Sequence, residues 1–135
     1  SADPERGVFI LCRTSNPGSG ELQSLQVDGT PLYEIVAKHA ATTWNTHANL
    51  GLVAGATYPE ELGRIRAAAP KIPLLVPGIG AQGGDLEAVL KHGRDASGYG
   101  MLINSSRGIL YAGKGEDFAE AAATAARELA KATGV

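Results

Sequence analysis

Four short apolar runs, each followed by a segment with helical spacing, constrain this chain more than any other feature. The runs are Gly7 to Cys12, Leu50 to Ala54, Ile72 to Val76 and Tyr99 to Ile103. Continuous apolar runs of this length suit strands buried on both faces. Between and after them, Leu32, Ile35, Val36 and His39 share one helical face, as do Leu62, Ile65 and Ala69, then Leu86, Val89 and Leu90, then Phe118, Ala122, Ala125 and Leu129. Punctuation agrees with this division. Thr57 and Glu60 have capping-box spacing around Pro59, Asp85 suits an N-cap before Leu86, and Gly134 follows the last helical residue. Strands alternating with helices imply a parallel sheet with right-handed crossovers, and ligand chemistry at the C-terminal strand ends.

The expected class is therefore α/β, built from four βα units. An eight-unit barrel takes about 250 residues, and this chain has 135. Only Ser1 to Arg6 precede the first run. The expectation is the second half of a (βα)8 TIM barrel, one half-barrel domain over 1–135, with an open four-stranded sheet as the alternative.

Charge and composition narrow the partners. Twelve basic and 14 acidic residues, scattered along the chain without a long run of one sign, give a net charge of −2, which offers no footprint for nucleic acid and no polybasic membrane patch. No apolar stretch reaches the ~18 residues of a membrane-spanning helix, and the N-terminus lacks a signal-peptide pattern. The one cysteine, Cys12, lies inside an apolar run and is expected as a buried free thiol in a reducing compartment. A cytoplasmic protein is the expectation.

The third run opens into Pro77-Gly78-Ile79-Gly80-Ala81-Gln82-Gly83-Gly84-Asp85. Glycines allow positive φ and close backbone approach, so N–H groups there can point at a phosphate that also meets the next helix's positive end. The loop fits neither the Walker A nor the dinucleotide pattern, and a bare turn is its rival. After the fourth run comes Asn104-Ser105-Ser106-Arg107. Loops after the last strands of a barrel build phosphate sites, and arginine suits bidentate phosphate contact. The first run ends in Arg13-Thr14-Ser15-Asn16-Pro17-Gly18, where hydroxyl and amide groups would face a ligand, although the same residues are ordinary turn chemistry. The connection onward to Pro31 exceeds the usual ~2–6 residues of a βα loop.

Other polar residues have structural explanations. His39, His47 and His92 show no metal-ligand spacing, so no metal site is expected. Glu60-Glu61 and Glu116-Asp117 sit at helix starts, where carboxylates complement the dipole. Thr57 is accounted for by capping, Lys114 by solvation, and the alanine-rich segment from Phe118 to Thr133 by an outer helix packing a narrow face on the sheet.

Taken in order, Arg13-Thr-Ser-Asn-Pro-Gly18, Asp28-Gly-Thr-Pro-Leu-Tyr33, Gly55-Ala-Thr-Tyr-Pro-Glu-Glu-Leu62, the Pro77 to Asp85 loop and Ser106-Arg107 resemble orotidine 5′-monophosphate decarboxylase, in its bacterial Thr-Ser-Asn-Pro branch. The resemblance implies a dimeric barrel enzyme of pyrimidine biosynthesis that converts orotidine 5′-monophosphate (OMP) to UMP and CO2 without cofactor or metal. It implies that Gln82 and Arg107, with Ser106 and nearby backbone N–H groups, grip the phosphate. Ser15, with Thr14 and Asn16, would contact the pyrimidine edge, and Pro77 and Gly78 would shape the base and ribose pocket. The family's catalytic Asp-x-Lys-x-x-Asp array has no counterpart here, since no Asp-x-Lys occurs in the chain. The resemblance thus implies no catalytic residue in this chain, and an N-terminal half of the same enzyme as its partner. A half-barrel that merely binds phosphate, and another phosphate-binding barrel enzyme, are the alternatives.

Overall fold

The computed structural model describes residues 2–80 and 84–134. Strand β1 (Val8–Arg13) leads through a 3-10 turn at Pro17–Ser19 and a short helix α1 (Gly20–Gln23) into a two-stranded antiparallel ribbon, β2 (Gln26–Val27) and β3 (Thr30–Pro31). Helix α2 (Leu32–Ala41) follows, then β4 (Leu50–Ala54), α3 (Pro59–Ala68), β5 (Leu74–Pro77), α4 (Leu86–Gly93), β6 (Met101–Asn104), α5 (Ser106–Leu110) and α6 (Phe118–Thr133). The main sheet has the order β1-β4-β5-β6, and every pairing in it is parallel. This is the α/β architecture expected from the alternation: four consecutive βα units, half the number in an eight-unit barrel.

Register sorts the two faces of the sheet. Ile10, Leu52, Leu74 and Met101 align across the four strands. Leu52 and Leu74 in that row are fully buried, in one core with Ala37, Leu62, Ile65 and Val89 from the helices. One residue further on, Leu11, Val53, Leu75 and Leu102 align in the same way. Successive strand residues point to opposite faces, so this second apolar row lies on the face away from the helices. Its two ends are open, Leu11 being 66% and Leu102 53% exposed.

Several local expectations are corrected. The third and fourth strands begin at Leu74 and Met101 rather than at Ile72 and Tyr99. Pro73 has no N–H to give the ladder, and Tyr99 is held in a turn in which its N–H donates to Asp95 Oδ1 (3.1 Å). On α2 the buried residues are Tyr33, Ala37 and Ala40, and His39 is exposed; the face is rotated by one residue because the alanines allow the helix to lie close on the sheet. Thr57 does not cap α3. The N-cap is Tyr58 with no side-chain cap bond, and Thr57 Oγ1 is buried without a hydrogen-bond partner among the described residues. Phe118 is 59% exposed, so the packing face of α6 starts at its alanines. The long connection from Gly18 to Pro31 is not a bare loop, since α1 and the β2–β3 ribbon occupy it. By contrast, Asp85 caps α4 through Glu87 N and Ala88 N, and Gly134 closes α6 with φ 79°.

Cys12 is buried, and its thiol donates to the Tyr33 carbonyl at 3.0 Å. Burial pushes its pKa up to about 12. Only the thiolate reacts, so alkylation of Cys12 at pH 8 should run about a thousandfold slower in the folded protein than in urea. The same shift makes the folded state hold a proton that the unfolded state releases. The contribution of Cys12 to stability is therefore constant below about pH 8.5 and falls as pH rises toward 12. Equal alkylation rates in the two states would contradict this environment.

Candidate functional site

The C-terminal ends of the four strands carry two groups of polar residues. The first lies beyond β5 and β6, where Pro77, Gly78, Ile79, Asn104, Ser105, Ser106 and Arg107 line a cavity of about 230 Å³. Gly78 and Gly80 have φ of 100° and 70°, conformations that side chains rarely adopt. Ile79 between them is 7% exposed and belongs to the core. Gly80 N donates to Gly84 O and Gly84 N to Gly78 O, each at 3.2 Å. A Cβ at Gly84 would stand 2.6 Å from Ala56 Cβ, so the end of the loop seats on the β4 rim only as glycine. Gln82 lies outside the described residues.

On the other wall of the cavity, Ser106 and Arg107 begin α5. Their N–H groups precede the first intrahelical donor, Ile109 N, which gives to Ser105 O at 3.0 Å, so they have no acceptor within the helix. Ser106 Oγ donates to Asn104 Oδ1 at 3.2 Å. The Arg107 guanidinium is exposed and makes no ion pair or hydrogen bond among the described residues. A concave site with a cation that has no partner among the described residues, hydroxyls and first-turn N–H groups is suited to a phosphate.

The second group lies beyond β1 and β4. Between Leu11 and Arg13 the register with β4 slips by one residue. Bulges of this kind re-aim side chains at sheet rims. Here Arg13 is buried at 5% exposure beside the equally buried Cys12. Its guanidinium pairs with Glu61 in the first turn of α3, donates to Ser19 Oγ at 2.7 Å and Gln23 Oε1 at 3.3 Å, and lies 4.7 Å from the centre of the Tyr58 ring. Gln23 in turn holds Thr14: its Oε1 accepts from Thr14 N at 2.9 Å and its Nε2 donates to Thr14 Oγ1 at 3.1 Å. Thr14 Oγ1 also bonds Asn16 Oδ1, and Asn16 O accepts from Ser19 N. Ser15 Oγ, in the middle of this braced segment, is buried with no hydrogen-bond partner among the described residues.

Thr14, Ser15 and Asn16 therefore form one unit, Pro77, Gly78, Ser106 and Arg107 another. The rim of β4 joins them. Gly55 N donates to Arg13 O at 2.7 Å on one side, and Ala56 N donates to Pro77 O at 2.9 Å on the other. Sequence reading missed Arg13, Gln23, Glu61 and Gly55. Only Arg13 left a local signal, an arginine directly continuing an apolar strand; the other contacts are made across the fold. Among the described residues no group of His, Cys, Asp and Glu could hold a metal ion, and no helix is long and apolar enough to cross a membrane.

Comparison with known proteins agrees with the geometry. The family model for orotidine 5′-phosphate decarboxylase / HUMPS proteins matches residues 1–123. The chain is 62% identical over 125 residues to orotidine 5′-phosphate decarboxylase of Azoarcus sp., covering 93% of this chain and 46% of that protein. It is 61% identical over 121 residues to the enzyme of Cupriavidus taiwanensis, covering 90% and 44%. Among solved structures, Leishmania donovani UMP synthase superposes with a TM-score of 0.85 at 48% identity, over 98% of this chain and 29% of that one. The OMP decarboxylase of the same organism gives 0.83 at 45%, over 99% and 51%. The chain thus spans about half the length of the decarboxylases it matches, and with its parallel sheet, its rim cavity and these relatives it belongs to the orotidine 5′-phosphate decarboxylase / HUMPS family.

Proposed function

We propose that this chain is the phosphate- and pyrimidine-binding half of an orotidine 5′-monophosphate decarboxylase, its four units being units five to eight of the barrel. The observation that carries the proposal is the rim cavity lined by both the glycine turn at Pro77 and Gly78 and by Arg107, which has no partner among the described residues. In this reading Arg107, Ser106 and Gln82 hold the phosphate of OMP, Thr14, Ser15 and Asn16 meet the pyrimidine, and Pro77 and Gly78 wall the pocket between them. These contacts bind a part of the substrate that does not react. Such binding energy can organise the chemical centre. The charged groups that promote loss of CO2 and reprotonate the pyrimidine ring come from the N-terminal half. The open row Leu11, Val53, Leu75 and Leu102 supports that partner, because closing the barrel would cover it. Complete barrels of this kind would pair as homodimers in the cytoplasm.

The test uses a single polypeptide in which the N-terminal half of the Azoarcus enzyme precedes this chain. Arg107→Ala removes a charge-assisted contact of about 1.5–3 kcal/mol, so UMP should bind at least about tenfold more weakly. Uridine, which lacks the phosphate, should bind equally to both proteins. Unchanged UMP affinity would place the phosphate elsewhere.

A further inference from the structure

Ser15 Oγ has an unusual neighbour. A Cβ built on Gly55 would lie 2.1 Å from that oxygen, 3.1 Å from Ser15 N and 3.3 Å from Ser15 Cβ. Gly55 shows no positive φ, so its backbone conformation does not demand glycine. What demands it is the space taken by Ser15. The hydroxyl stands directly on the Cα of the β4 rim, buried and without a hydrogen-bond partner among the described residues. A buried unpaired hydroxyl carries a desolvation cost, which a ligand group meeting it would offset.

Gln23 fixes the neighbouring Thr14 by three contacts, to its N–H at 2.9 Å and to its hydroxyl at 3.1 and 3.4 Å. The buried Arg13 fixes Gln23 in turn at 3.3 Å. Ser15 thus stands on a floor that has no side chain, next in the chain to a residue braced from α1. Neither Gly55 nor Gln23 lines the phosphate cavity.

We infer that Gly55 and Gln23 are positioning residues for pyrimidine recognition: Gly55 by leaving the space in which the Ser15 hydroxyl stands, Gln23 by bracing Thr14 beside it. This rests on the assignment of OMP and UMP as ligands, and the experiment separates the two. Its probes are UMP and ribose 5-phosphate, the second carrying the phosphate without the base, titrated into the fused polypeptide.

Gly55→Ala should weaken UMP binding about tenfold or more through the displaced hydroxyl, and ribose 5-phosphate less than about twofold. With Ser15→Ala already present, the closest of the three clashes is gone, and Gly55→Ala should then cost less than about twofold in UMP affinity. A general packing defect would cost the same in both backgrounds. Gln23→Leu should weaken UMP about fivefold with ribose 5-phosphate unchanged, and Gln23→Glu, which keeps an acceptor for Thr14 N and Arg13, should restore UMP affinity to within about twofold. The Gln23 pair decides the matter if Gly55→Ala protein does not fold. Equal losses of UMP affinity in the two Ser15 backgrounds, equal losses for both ligands, or no change with Gln23→Leu would overturn the inference. Failure of the unsubstituted protein to bind ribose 5-phosphate would instead overturn the functional assignment beneath it.

Discussion

Added to OMP, this chain alone is expected to leave its absorbance unchanged, while the same chain fused behind the N-terminal half of the Azoarcus enzyme decarboxylates it. The difference should be at least about a millionfold, the lower end of enzymatic rate enhancement. The reason lies in what lines the rim. Of the seven residues around the cavity, Arg107 is the only titratable one, and an arginine does not give up its proton in a protein. At the second group, Glu61 is taken by Arg13. Loss of CO2 from a pyrimidine leaves an electron pair on a ring carbon, which needs an acid within reach. No lysine or aspartate among the cavity-lining residues supplies one.

Packing argues in the same direction. An isolated half leaves the row Leu11, Val53, Leu75 and Leu102 without a cover and the outer edges of β1 and β6 without partners in the described sheet. Open edges and apolar faces favour association of wrong partners. The fused polypeptide should therefore also be the more soluble of the two and give a single sharp thermal transition. Decarboxylation by the pure 135-residue chain would mean that the acid is within this half after all. An inactive but UMP-binding fusion would leave the grip in place and remove the claim that this half completes an enzyme.

The distribution of what the sequence revealed follows from the range of each interaction. Strand β4 was legible to the residue, because its apolar run and glycine boundary are local. Asp85 and Gly134 were legible for the same reason, since caps are set by neighbours a few residues away. Helix α5 was not, because five residues are too few for a periodicity to register. Thr57 was misread since the capping-box spacing is satisfied on paper, yet the chain turns into α3 one residue later. On the rim, the cavity residues were visible as motifs. Their support was not: Gly55 looks like any strand-ending glycine until Ser15, forty positions earlier, is laid against it. Arg13 and Glu61 are separated by 48 positions and meet only across α3.

The same long range hides the residue whose loss should cost most stability. Arg66, on the inner side of α3, is 7% exposed and reads in sequence as one of several helical charges. In the fold its Nε donates to Gly93 O at 2.8 Å, one terminal nitrogen to Ile72 O at 2.8 Å and Ala69 O at 3.2 Å, and the other to Gly100 O at 2.8 Å. Those carbonyls belong to the ends of α3 and α4 and the entries to β5 and β6. Burial draws the Arg66 pKa below its ordinary value, but arginine starts so high that it remains charged. Among the described residues no carboxylate hydrogen-bonds the guanidinium; the carbonyl dipoles hold it, and the nearby Asp95 charge favours its charged form. Arg66→Met fills the volume but strips several buried carbonyls of their donor at once, for which about 3–5 kcal/mol is expected. In the fused barrel this corresponds to a fall of about 10 °C in Tm. Arg66→Lys should recover only part of it, because an ammonium cannot span the planar fork that reaches three segments. UMP affinity measured well below Tm should stay within about twofold, since these carbonyls lie at the end of the strands opposite the rim. A loss under about 0.5 kcal/mol for Arg66→Met, within the range of ordinary surface substitutions, would show that the N-terminal ends of β5 and β6 are held by their own ladder and not by this side chain.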